Sequence, residues 1–222
     1  MEHFFFAAGV DMSSFLRVES LDPGTEKDFK PWLKVWESAA LMIKAFELLV
    51  LPHDISVIEL GCGTGIAGLH FIQKFHPREF IFTDLKEALH VIEKNLGMTE
   101  IPVETTVLVQ EYSWGISKSQ KTFDFIICSD LVYFPELFQP LIDSLLDLSD
   151  EKTIIYLSYK KRSISKESLF FQMFGQYFDY EIEEIRGFDA QMYYFFIAHR
   201  KSVASIGLCP KFELFCMAQQ LE

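Results

Sequence analysis

Residues 55–65 read Ile-Ser-Val-Ile-Glu-Leu-Gly-Cys-Gly-Thr-Gly, a short apolar run that breaks into three glycines within five positions. The apolar part, Ile55–Leu60, suits a buried strand, and Ile66–Phe75 beyond the glycines has helical spacing. A strand-to-helix turn without side chains lets a ligand approach the backbone. The helix N-terminus behind it offers free N–H groups. In dinucleotide enzymes the spacing is GxGxxG. Here the third glycine, Gly65, comes one residue early, and Ile66 stands where that fingerprint needs glycine. Glu59 precedes the first glycine, Gly61, by two positions, and a carboxylate there suits a ligand bearing a cation rather than a pyrophosphate.

The rest of the chain alternates in step with this junction. Helical spacing over 32–50 comes first, through Trp32, Trp36, Ala39, Ala40, Ile43, Phe46 and Val50. After the glycine turn, strands are predicted at Glu79–Thr83, Thr105–Val109, Phe123–Cys128 and Thr153–Ser158, and helices at Lys86–Leu96, from Pro135 to about Leu148, and at Lys166–Tyr177. Two late strands, near Tyr180–Ile185 and Gln191–His199, have no helix between them. Strand–helix alternation closed by a hairpin predicts an α/β fold: a doubly wound, mostly parallel seven-stranded sheet, Rossmann-like, with a terminal antiparallel hairpin. Asp84, followed by Leu85, stands at the end of the second strand, where a carboxylate can accept both ribose hydroxyls of an adenosine.

Composition narrows the function. The chain has 222 residues, enough for one domain with short extensions, and its 20 Lys+Arg against 32 Asp+Glu give −12. A net anion of that size is a poor general nucleic-acid binder and suits a cationic substrate. No apolar run approaches membrane-spanning length, so no membrane segment is expected. Glu2 and His3 stand where a signal peptide would carry positive charge. Cys62, Cys128, Cys209 and Cys216 form no CxxC pair and no zinc pattern with the histidines, so no metal is expected and reduced thiols are the simplest reading. A Cys209–Cys216 disulfide is the alternative to that reading. A monomer in the cytoplasm, with the nucleus as a second location, is the expectation.

Glu59, the glycine turn and Asp84 together resemble the cofactor site of the class I, seven-β-strand S-adenosylmethionine methyltransferases. Three further segments narrow the resemblance: Val35-Trp36-Glu37-Ser38-Ala39-Ala40, Tyr112-Ser113-Trp114-Gly115, and Ser129-Asp130-Leu131-Val132-Tyr133, which contains Asp-x-x-Tyr. In this order they are similar to the protein-lysine methyltransferases that modify chaperones, AAA ATPases and translation elongation factors. The likeness runs from about Trp32 to Arg200. It implies S-adenosylmethionine as cofactor, S-adenosylhomocysteine as product, and a protein substrate presenting a lysine. It also implies that Trp36, Trp114 and Ser129 contact the cofactor, and that Asp130 and Tyr133 border the reacting methyl. Residues 1–31 then form an N-terminal arm, 32–201 the methyltransferase domain, and 202–222 a tail packed on it. Two departures stand out. Glu37 follows the first Trp where the family often has Asp or Pro, and the arm is short.

Plainer roles compete at single positions. Trp36 could be core on an amphipathic helix. Trp114 could be a core anchor, Asp130 a helix cap, and Tyr133 a rim residue. The run Lys160-Lys161-Arg162 reads most simply as a solvated turn, with substrate or partner contact as the alternative. Tyr193–Phe196 reads as a buried strand. Methylation of protein arginine or of a small-molecule amine, and an inactive binding module, stay open beside lysine methylation. For lysine, the amine must lose its proton before attack. Asp130 and the carbonyls after the fourth strand are the expected acceptors that aim its lone pair, with Tyr133 walling the lysine stem.

Overall fold

A computed structural model describes residues 22–24, 29–186 and 191–202. Most of the N-terminal arm, and the tail with Cys209 and Cys216, lie outside the described residues. The elements in chain order are α1 (Glu37–Glu47), β1 (Ser56–Leu60), α2 (Ile66–Phe75), β2 (Glu79–Asp84), α3 (Leu89–Leu96), β3 (Thr106–Glu111), β4 (Phe125–Ser129), α4 (Phe138–Leu148), β5 (Ile154–Lys160), α5 (Ile164–Phe174), β6 (Phe178–Arg186) and β7 (Met192–Arg200). One seven-stranded sheet has the order β3-β2-β1-β4-β5-β7-β6. The first five strands pair in parallel. β7 runs antiparallel between β5 and β6. The predicted fold and terminal hairpin are therefore present.

Both faces of the sheet are covered. Val57, Phe125 and Ile127 belong to one apolar cluster, with Phe46, Leu69 and Phe71 from α1 and α2. Their strand neighbours Ile58, Ile126 and Cys128 belong to the other, with Leu141 and Phe170 from α4 and α5. Successive strand residues point to opposite faces, so continuous apolar strands need helices on both sides. The chain has 23 phenylalanines, and many of the described ones pack in these cores. Phe171 and Phe196, for example, stack with centroids 4.4 Å apart and planes at 8°.

The first helix departs from the sequence pattern. Helical spacing spans 32–50, but α1 begins at Glu37, and Trp36 precedes it in an extended conformation (φ −88°, ψ 150°). Pro31–Leu33 form a separate 3-10 turn. The Trp36 indole N–H donates to the Pro31 carbonyl at 2.9 Å, which fixes the bend between them. Trp36 is thus not on the buried helical stripe. Pro135–Leu137 likewise form a 3-10 turn ahead of α4.

Order reverses at β1, which has β2 on one side and β4 on the other. In open parallel sheets, ligands bind beyond the carboxyl ends of the strands at such a reversal. Among the described residues, no helix is long and apolar enough to cross a membrane.

Candidate active site

A cleft of about 1220 Å³ opens at that reversal. A drug-sized ligand typically occupies a pocket of about 300–1,000 Å³, so the cleft is larger than one such ligand needs. The sequence-predicted Glu59, Gly61, Gly63, Asp84, Leu85 and Trp114 line it, as do Trp36, Ser129, Asp130 and Tyr133. Gly65 does not; a Cβ there would meet Ile92 Cγ1 at 3.1 Å and Phe82 Cε1 at 3.3 Å, so its lack of a side chain serves helix–strand packing.

The glycine turn is held from several directions. The Cys62 amide donates to the Thr83 carbonyl at 3.0 Å, and the Gly65 amide to the Cys62 carbonyl at 2.7 Å. Buried Asn95 donates from Nδ2 to the Thr64 carbonyl at 2.8 Å. Gly63 has φ +51°, and a Cβ on it would come within 3.3 Å of the Trp32 Cα. A Cβ on Gly61 (φ +56°) would sit 2.7 Å from Leu131 Cδ2 and 3.2 Å from Trp114 Cζ2. Positive φ and close neighbours both select glycine at these two positions.

Three polar groups in the cleft are poised for a ligand. Glu59 is buried, and its Oε2 has no hydrogen-bond partner among the described residues. Burial pushes its carboxyl well above the usual range, the Gly68 amide opposes that shift, and nearby Asp84 adds to it. Asp84 accepts the Gly63 amide on Oδ2 at 2.8 Å and the Leu85 amide on Oδ1 at 2.7 Å. Each oxygen keeps a lone pair. Burial raises the Asp84 carboxyl too, with the two amides opposing. The Ser129 Oγ is also buried without a partner among the described residues. These groups fit the parts of adenosylmethionine: ribose hydroxyls at Asp84, and the ammonium of its amino-acid end at Glu59. No group of three or more His, Cys, Asp or Glu suited to a metal occurs among the described residues.

The other end of the cleft is aromatic and charged. Tyr133 and Phe134 lie with ring centroids 4.6 Å apart. Burial pushes the Tyr133 phenol up to about 12, with the nearby carboxylates Asp84 and Asp130 adding to the shift. Asp130 does not cap α4. Its backbone sits at φ +61°, and its amide donates to the Ser158 carbonyl at 2.7 Å. Its carboxylate is engaged by Arg162, from Nη1 to Oδ1 at 2.8 Å and from Nη2 to Oδ2 at 2.6 Å. The Lys160 amide adds a bond to Oδ1 at 3.2 Å. Arg162 is therefore part of the site and not simply a solvated turn.

The sequence does not single out Arg162 as the partner of Asp130, Trp32 as a wall of the cleft, or Asn95 as the support behind the glycine turn. For Arg162 a signal existed: it follows the carboxyl end of β5, the strand next to β4, so topology puts it beside Asp130. Trp32 continues the apolar spacing of α1 in sequence but lies in the separate 3-10 turn. Asn95 looked like any polar residue in a short helix.

A glycine turn after β1, the Asp84 carboxylate at the end of β2 and a seven-stranded sheet with this order define the class I S-adenosylmethionine-dependent methyltransferase fold. The ribosomal protein L11 methylase from Lactobacillus delbrueckii subsp. bulgaricus superposes with a TM-score of 0.55 at 20% identity, over 75% of this chain and 78% of that one. Residues 31–177 match the family described as Lysine methyltransferase, and the chain belongs to that family. It is 33% identical to the EEF1A lysine methyltransferase 3 of Xenopus tropicalis over 152 residues, 67% of this chain and 66% of that protein. It is 30% identical to the protein-lysine methyltransferase METTL21E of Mus musculus over 164 residues, 69% of this chain and 65% of that protein. The chain thus spans just under two thirds of the length of these relatives.

Proposed function

We propose that this protein transfers a methyl group from S-adenosylmethionine to the side-chain amine of a lysine in another protein. The observation that carries the reading is one continuous cleft. It joins the cradle of Glu59, Gly61, Gly63 and Asp84 to an aromatic mouth containing Asp130 and Tyr133. When bound, adenosylmethionine supplies an electrophilic methyl on a sulfonium. The protein's task is then placement more than covalent chemistry.

Glu59 pairs with the cofactor's ammonium and Asp84 with its ribose. Trp36, Trp114 and Ser129 border the remainder. At the mouth, a lysine must present a neutral amine, since an ammonium has no lone pair for attack. Asp130 Oδ2 accepts a single bond from Arg162 and retains a lone pair that can take an N–H of that amine. Tyr133, kept as a neutral phenol, walls the lysine stem. The net charge of −12 favours encounter with a lysine-bearing segment. Free, buried Cys62 and Cys128 support a reducing compartment, and we place the reaction in the cytoplasm, with the nucleus as a second site.

The test is incubation of a cell lysate with the pure protein and isotopically labelled adenosylmethionine, followed by mass spectrometry of the labelled band. The expected result is label on a lysine of a non-histone protein such as a chaperone, AAA ATPase or elongation factor. Label on arginine or on a small amine would replace lysine as the acceptor. Absence of any label with bound cofactor would make the protein a binding module.

A further inference from the structure

The acceptor end of the cleft carries a cation on its anion. The Asp130 side chain is 4% exposed and that of its partner Arg162 is 35% exposed. The pair is therefore oriented, with the carboxylate inward and the guanidinium toward solvent. The Arg162 guanidinium carbon also lies 5.9 Å from the centroid of the Trp36 ring, and Lys34 Nζ lies 4.6 Å from the same centroid. Lys34 is itself paired with Glu37 Oε1 at 4.0 Å, so the cation that an ammonium approaching Asp130 meets first is Arg162. An N–H can still reach the free lone pair on Oδ2, but the carboxylate's charge is already met by Arg162, and a full ion pair with an ammonium would have to displace a bidentate, planar donor with a compact and strongly hydrated one. It would also strand a partly buried guanidinium, and removing one partner of a buried pair is costly.

We propose that Arg162 is a specificity-determining residue of the acceptor site: it keeps Asp130 neutralised, so that the mouth takes its acceptor as a neutral amine and does not trap an ammonium. The inference rests on the reading of the cleft as an adenosylmethionine-dependent amine methylation site. Other charges bear on the pair. Glu37 of α1 and Glu167 of α5 act on Arg162 from their own elements. Tyr133 feels the charge of both members of the pair and of Asp84, and all four residues line the cleft. Glu167 is itself fixed, its Oε1 accepting the Arg162 amide at 2.5 Å and the Ser163 amide at 2.8 Å. This holds the backbone of Arg162 in place. Without Arg162, Asp130 would be a bare carboxylate facing the position of the transferred methyl. It would hold an acceptor in its protonated, unreactive form.

Two ligands read this charge without any protein substrate. Adenosylhomocysteine has a neutral thioether at the reacting position, whereas sinefungin places a protonated amine there. Calorimetry gives the ratio of their affinities in the parent, Arg162→Met, Arg162→Lys and Asp130→Asn, at one pH and one salt concentration. Arg162→Met should shift the ratio toward sinefungin by about tenfold, the size expected of one unit charge a few ångströms away in a partly solvated site. Asp130→Asn should shift it about as far toward adenosylhomocysteine. Arg162→Lys keeps the charge and should stay near the parent, which guards against a variant that merely loosens the loop. Ratios that do not move, or that move the same way in Arg162→Met and Asp130→Asn, overturn the inference. Failure of the parent to bind adenosylhomocysteine would instead overturn the cofactor reading, and the inference with it.

Discussion

The amide of Gly63 donates to Asp84 Oδ2 at 2.8 Å across a separation of 21 residues. The glycine turn and the Asp84 carboxylate are therefore one mechanical unit, and a change in either should be felt by the other. Asp84→Ala removes an acceptor for the ribose and the partner of the Gly63 amide. Hydrogen bonds to charged groups contribute about 1.5–3 kcal/mol. Adenosylmethionine affinity should fall about ten- to a hundredfold, and the free protein should lose about 1 kcal/mol of stability. Isothermal calorimetry and a thermal melt on one preparation check both. Parental affinity would place the ribose elsewhere.

Glu59 predicts opposite effects on stability and binding. Burial raises its carboxyl well above the ordinary value, so folding favours the protonated form. Its contribution to stability is fully present at low pH and is lost as pH rises through the raised folded value. Glu59→Gln, which cannot ionise, should be at least as stable as the parent near neutrality, by up to about 3 kcal/mol. The gap should widen with rising pH. The same variant should bind adenosylmethionine about tenfold less tightly, because the cofactor's ammonium loses its counter-charge. In the parent, affinity should weaken on acidification as Glu59 takes up its proton. Asp84 is also raised and titrates in the same sense, so the difference between parent and Glu59→Gln isolates Glu59. Melts across pH, with and without cofactor, give both readings. A variant less stable at every pH would contradict the assignment.

Asn95 is fully buried in α3 and donates to the Thr64 carbonyl within the glycine turn. Asn95→Ala leaves that carbonyl without its donor and opens a small void. The expected loss is about 1–3 kcal/mol. Cofactor affinity should drop only a few fold, since Asn95 does not line the cleft. Asn95→Asp should be worse than Ala, because an ionised carboxylate would face the carbonyl oxygen. If Asn95→Ala abolished binding while the melt stayed unchanged, Asn95 would have to be a direct ligand.

Asp130→Ala should reduce methyl transfer about a hundredfold, the scale on which lost orientation of a nucleophile acts. Cofactor affinity should be largely spared, because the cradle lies at the other end of the cleft. Stability should also fall, by about 2 kcal/mol after allowing for the partial exposure of Arg162. Alanine is poorly suited to φ +61°, whereas asparagine tolerates that conformation. Asp130→Asn should therefore melt closer to the parent than Asp130→Ala. Labelled methyl incorporation and calorimetry on the same samples separate the effects, and near-parental methylation would remove Asp130 from the chemistry.

The sheet was readable from sequence because its strands are buried on both faces, which writes them as uninterrupted apolar runs bracketed by helices. Glu59, the glycines and Asp84 were readable because they cluster at strand ends, where a fixed topology gives each a place. The Asp130–Arg162 pair was not. Its members are 32 residues apart, and a basic residue after a strand carries no periodic mark. The spacing around Trp32 and Trp36 misled for another reason. Residues folded over a ligand cleft are apolar too, and here they continued the pattern of α1 without sharing its helix. Gly65 shows the converse, a motif residue whose spacing is dictated by the neighbouring side chains of Ile92 and Phe82.

β7 lies between β5 and β6, pairing with both. Among the described residues, the last strand in chain order is thus an interior one. While the chain is being synthesised, β5 has a bare edge until residues 192–200 leave the ribosome. An exposed edge is a template for pairing with other chains, and non-local strand pairing is slow. Nascent chains should thus pass through a stage in which the cofactor cradle is complete but the sheet is open. Premature stop codons upstream of β7 should then yield insoluble protein rather than a smaller working enzyme.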